Sequence, residues 1–61
     1  LTTREKEILL LITQGMTNEL IADKLFISVQ TVRNHIKSIY DKLQVHSRAQ
    51  VVVKAFKEKL I

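Results

Sequence analysis

Sixty-one residues, 46% of them hydrophobic, with no cysteine and a formal net charge of +4, allow one small domain whose core is marginal in size. That apolar content excludes a disordered chain, the missing cysteines exclude a disulfide framework and thiolate metal sites, and no apolar run approaches the roughly 18 residues of a membrane span. A cysteine-free chain fits a reducing compartment, so a cytoplasmic location is expected.

The charge is unevenly placed. Residues 1–27 hold Arg4, Lys6 and Lys24 against four acids, a balance of −1, whereas residues 28–61 hold seven basic residues against Asp41 and Glu58, a balance of +5. The basic half is suited to a polyanion, although a solvated lysine-rich surface has the same composition.

With no proline, one glycine and no alternating apolar pattern, the sequence reads as all-α. Thr2 followed by Glu5 is a capping-box signature, and it opens a first helix that runs to about Thr13. Gly15 supplies the left-handed residue that often ends a helix. The unbroken apolar run Ile8–Ile12 predicts packing against more than one neighbour. A helix-start signal at the first residues is also what a domain cut from a longer chain would show.

Thr17 caps a short second helix over Asn18–Leu25, with Leu20, Ile21 and Leu25 as its expected apolar side. Ser28 caps the third helix. Ser47, with Gln50 three positions on, gives a second capping-box pattern for the fourth. Such short connections predict a compact four-helix bundle over residues 1–61, read as one domain without repeats or linkers.

On a wheel of 3.6 residues per turn, Val29, Val32, Ile36, Ile39 and Leu43 form the core stripe of the third helix. Gln30, Arg33, Asn34 and Lys37 lie opposite, flanked by Thr31 and Ser38. No Asp or Glu occurs between Ser28 and Tyr40, although the start of a helix ordinarily favours acids. Arg reads guanine bidentately, Asn and Gln read adenine, and hydroxyls and lysine suit phosphates. The simplest missing anion is DNA. The second helix, the turn Phe26-Ile27-Ser28 and the third helix together make a helix-turn-helix, with Ala22 small enough for close helix contact.

The stretch LTTREKEILLLITQGMTNELIADKLFISVQTVRNHIKSIYDKL resembles the LuxR-type helix-turn-helix domain found at the C-terminus of NarL/FixJ-class response regulators. The resemblance rests on Leu1-Thr2-x-Arg4-Glu5, Gly15-x-Thr17-Asn18, Ile21-Ala22, Phe26-Ile27-Ser28, Thr31-Val32-Arg33-Asn34-His35 and Lys42-Leu43. It implies a four-helix, sequence-specific DNA-binding output module of a transcription regulator, commonly dimeric, with a receiver or sensor domain on its N-terminal side. It further implies base contacts from Gln30, Arg33 and Asn34. Phosphate contacts would come from Thr17, Asn18, Thr31 and Lys37, with Ser28 joining them at the start of the third helix. The chain departs from the family's usual residues at Leu20 (an acid), Gln30 (often lysine), Gln44 (often glycine) and Ala49 (often threonine).

In the fourth helix, Ala49, Val52, Val53, Phe56 and Leu60 are expected to dock on the bundle. Val51 and Ala55 would lie beside that face, partly exposed, as a homodimer contact. His35 and His46 have neither cysteine partners nor metal spacing, so no metal or cofactor is expected. No nucleophile–base arrangement points to an enzyme. Tyr40 reads as packing, and Arg4 with Glu7 as a local ion pair. Two other functions suit the same residues: a helical interaction module for an acidic protein, and RNA binding. The chain shows no aromatic platform for the latter.

Overall fold

The computed structural model describes residues 1–60. Four helices follow in order: α1 (Thr3–Thr13), α2 (Asn18–Leu25), α3 (Val29–Leu43) and α4 (Arg48–Lys57). Each begins at a hydroxyl. The side chains of Thr2, Thr17, Ser28 and Ser47 accept hydrogen bonds from the amides of Glu5, Leu20, Thr31 and Gln50, satisfying one otherwise unpaired donor in each first turn. At α1 the capping box closes, because Glu5 Oε1 accepts from the Thr2 amide at 2.8 Å. The expected second box does not close. Gln50 accepts instead from the amide of His46, one residue before the cap, at 2.7 Å.

The helix ends share one device. The amides of Met16, Ile27, Val45 and Leu60 reach back to the carbonyls of Leu11, Ala22, Tyr40 and Ala55, and the residue before each donor is left-handed: Gly15, Phe26, Gln44 and Lys59. This is the Schellman stop. Only Gly15 was legible in advance, since the other three are residue types that seldom take positive φ.

α1 packs on both α3 and α4, and α2 packs on α3. Ile8, Leu9, Leu11 and Ile12 of α1 are buried while Leu10 reaches solvent, so the apolar run does serve two neighbours. The core is completed by Ile21 and Ala22, by Val32, Ile36, Ile39 and Leu43, and by Val45, Val51 and Ala55. Val29 is half-buried at the edge of the α3 stripe. Two expectations fail. Leu20 is exposed, because Ile21 and Ala22, one and two positions on, turn toward α3 instead.

Helix α4 is rotated by roughly a third of a turn from the expected orientation. Val51 and Ala55, expected at the surface as a dimer contact, are 0% exposed, whereas Val53 and Phe56 are 64% and 61% exposed. Apolar residues cover more than half of this helix's circumference, so hydrophobicity alone does not select the inner side. The packing of α4 on α1 and α3 turns Val51 and Ala55 inward, and Phe56 remains outside.

Candidate nucleic-acid interface

The outward side of α3 carries Gln30, Arg33, Asn34 and Lys37, all four exposed. They recur at the spacing i, i+3, i+4, i+7, so they form one stripe along the first three turns. The first turn of α3 contains no acid and its only last-turn cation is Lys42. The stripe is therefore a row of donors and amides opposite the buried residues Val32, Ile36 and Ile39.

Two of these side chains are not independent. Gln30 Nε2 donates to Asn34 Oδ1 at 3.1 Å, an i,i+4 pairing across one turn. This holds both amides on the stripe and leaves the Asn34 amino group pointing outward. At the start of the helix, the Ser28 and Thr31 hydroxyls lie 2.8 Å apart, and Ser28 also accepts the Thr31 amide at 3.0 Å. Ser28 is exposed and Thr31 half-buried.

At the start of α2, exposed Thr17 accepts the Leu20 amide at 3.2 Å. Half-buried Asn18 is held from outside its own helix: Arg48 Nη1 donates to Asn18 Oδ1 at 3.0 Å, and Arg48 Nη2 donates to the carbonyl oxygen of Met16. The polar residues expected at phosphates thus fall into two groups, each at the N-terminus of a helix of the α2–α3 pair, with Lys37 separate on the α3 stripe.

Behind the stripe lies a group that the sequence reading did not anticipate. Glu5 is only 3% exposed, yet it is fully partnered. Its Oε1 accepts from Lys42 Nζ at 2.8 Å as well as from the Thr2 amide, and its Oε2 accepts from Ser38 Oγ at 2.6 Å. The Lys42 ammonium foremost, then the Ser38 hydroxyl and the Thr2 amide, hold its carboxyl at about 2 against an ordinary 4.5, outweighing the opposing effect of burial. Ser38, expected to flank the outward stripe, is turned to Glu5 instead. A carboxylate beneath α3 would weaken an anion-binding surface. Here Lys42 neutralises it, and the cations of the stripe keep their full effect.

No cluster of three His, Cys, Asp or Glu able to hold a metal occurs among the described residues, His35 and His46 included. Arg4 and Glu7 form the expected surface pair at 3.3 Å, a contact of little energetic weight. No helix among the described residues is long and apolar enough to cross a membrane.

A short helix packed on a longer one, with an exposed acid-free stripe on the latter, defines a helix-turn-helix domain of the DNA-binding class. The family described as "Bacterial regulatory proteins, luxR family" matches residues 1–55, and the chain belongs to it. Response regulator protein VraR of Staphylococcus aureus (strain NCTC 8325 / PS 47) and VraR of Staphylococcus epidermidis (strain ATCC 35984) are each 48% identical to it over 61 residues. Those 61 residues are the whole of this chain and 29% of each relative. The crystal structure of response regulator ChrA, from a heme-sensing two-component system, superimposes with a TM-score of 0.96 at 44% identity, covering all of this chain and 30% of that one. The chain therefore spans less than a third of the length of these relatives.

Proposed function

We propose that this chain binds double-stranded DNA sequence-specifically, as the output domain of a bacterial transcription regulator of the response-regulator kind. The exposed stripe Gln30–Arg33–Asn34–Lys37, without an acid in the first turn of α3, carries this reading. α3 enters the major groove, where Gln30, Arg33 and Asn34 meet base edges. Thr17, Asn18, Ser28, Thr31 and Lys37 meet phosphates on either side. The role requires no chemistry at the site, only binding. The relatives, all response regulators of which this chain spans the smaller part, support a receiver or sensor domain on the N-terminal side and a cytoplasmic setting.

Assembly as a homodimer through α4 remains part of the proposal, but not through Val51 and Ala55. The surface suited to a second copy is the outer side of α4, where Val53 and Phe56 are exposed beside an open groove floored by Val45 and Ala49. Two-fold pairing there would favour DNA half-sites about one helical turn apart.

The deciding experiment is selection of bound sequences from a random duplex pool, followed by titration of the winning duplex at several salt concentrations. A defined consensus with steeply salt-dependent affinity is expected. Binding to an acidic protein with no duplex binding would overturn the reading in favour of an interaction module, and preference for single-stranded or folded RNA would overturn it in favour of RNA.

A further inference from the structure

Arg48 is the first residue of α4, a helix that packs on α1 and α3, yet its guanidinium grips the first residue of α2 and the turn before it. The target of that grip is a carboxamide, which has an acceptor at Oδ1 and two donors at Nδ2. A guanidinium only donates. Were the Asn18 amide turned over, its amino group would face the guanidinium as donor against donor. The contact therefore fixes the amide one way round: Oδ1 toward Arg48, Nδ2 away from it. Among the described residues no protein acceptor takes the Nδ2 hydrogens, and no buried polar side-chain atom is left without a partner, so the amino group faces solvent. It does so beside the Thr17 cap, at the start of a helix.

We propose that Arg48 is a positioning residue for DNA binding: through its two-pronged hold on Asn18 Oδ1 and the Met16 carbonyl, it presents Asn18 Nδ2 as a fixed donor to a backbone phosphate. This rests on the duplex-binding reading above. Unassisted, an asparagine at that position would divide its time between two amide orientations, one of which offers a phosphate an oxygen and is repelled. The planar fork removes that second state in a way a lysine ammonium does not. The residue opening α4 thus contributes to the DNA surface without belonging to α2 or α3.

A double-mutant cycle on the selected duplex separates positioning from mere bulk electrostatics. Arg48→Ala removes a positive charge as well as the fork, and the loss due to charge carries over unchanged into an Asn18→Ala background. The difference between the two backgrounds is the positioning effect. Arg48→Ala is expected to weaken binding about fivefold more in the parent than in Asn18→Ala, each affinity being measured well below the variant's melting temperature. Arg48→Lys keeps the charge and guards against a folding defect; it is expected to melt close to the parent and still bind more weakly. Equal losses in both backgrounds, or parental affinity for Arg48→Lys, would overturn the proposal. Failure of the parent itself to bind any duplex would instead remove the functional reading on which the proposal stands.

Discussion

Glu5→Gln tests the buried acid that ties the start of α1 to α3. At about 1.4 kcal/mol for each pH unit between the folded value of about 2 and the ordinary 4.5, its partners favour the charged form by ~3 kcal/mol. The Lys42 side chain is still 46% exposed, and solvent screening reduces this to about 2 kcal/mol. Glutamine keeps one acceptor oxygen but meets Ser38 or Lys42 with an amino group, so the variant should lose about 2–3 kcal/mol at pH 7. For a chain of this size, whose whole stability is roughly 3–9 kcal/mol, that corresponds to a melting temperature lower by roughly 10 °C or more. The pH dependence has a definite sign. A carboxyl whose folded value is depressed stabilises fully above its ordinary value and loses that contribution as pH falls through the folded one. The gap between parent and variant should therefore be complete above about pH 4.5, shrink below it, and close near pH 2. Urea unfolding followed by circular dichroism across that range measures it. Equal stabilities at pH 7, or a gap that stays constant down to pH 2, would refute the reasoning.

Further outcomes follow from the stripe and from α4. Asn34→Ala should cost about 1–3 kcal/mol on the selected duplex and relax the choice at one base pair, with an unchanged salt slope, as read from binding titrations against single-base variants of the site. Lys37→Ala should weaken binding similarly on all sequences and lower the salt slope by about 1, because a lone ammonium serves phosphates rather than base edges. Val53→Glu should leave binding to a single half-site nearly intact and reduce cooperative occupancy of paired sites in gel-shift titrations; equal loss at both kinds of site would speak against an α4 dimer.

The helix starts were readable because a hydroxyl before an apolar-periodic run performs its capping locally, without help from the rest of the fold. The α3 stripe was readable for a related reason: its apolar and polar residues divide cleanly, leaving one way to orient the helix. α4 has no such division, and Val51 and Ala55 became recognisable as core only once the proximity of the bundle was known. Glu5 was an intermediate case. It lies three, four and seven positions before Ile8, Leu9 and Ile12, on the inward stripe of α1, although its pattern with Thr2 pointed only to a capping role. Its partners were not legible, because Ser38 and Lys42 are more than thirty residues away in the chain. Arg48 was hidden for the same reason, since its role depends on a turn that sequence distance conceals.

The four identical helix stops carry a consequence for how much stability the chain leaves unused. Glycine holds the left-handed position after α1, but Phe26, Gln44 and Lys59 hold it elsewhere with φ of 58°, 58° and 55°, a conformation that costs a side-chain-bearing residue roughly 1–2 kcal/mol. At Gln44 and Lys59 a polar side chain at least suits the exposed position. Phe26 has no such compensation, because it is 94% exposed and recovers almost nothing by burial. Phe26→Gly should accordingly raise stability by about 0.5–1 kcal/mol after allowing for the greater freedom of glycine in the unfolded chain, a gain that thermal unfolding would register directly. A residue that is strained, apolar and bare to water at the joint between α2 and α3 marks a place where this sequence is not optimised for folding alone.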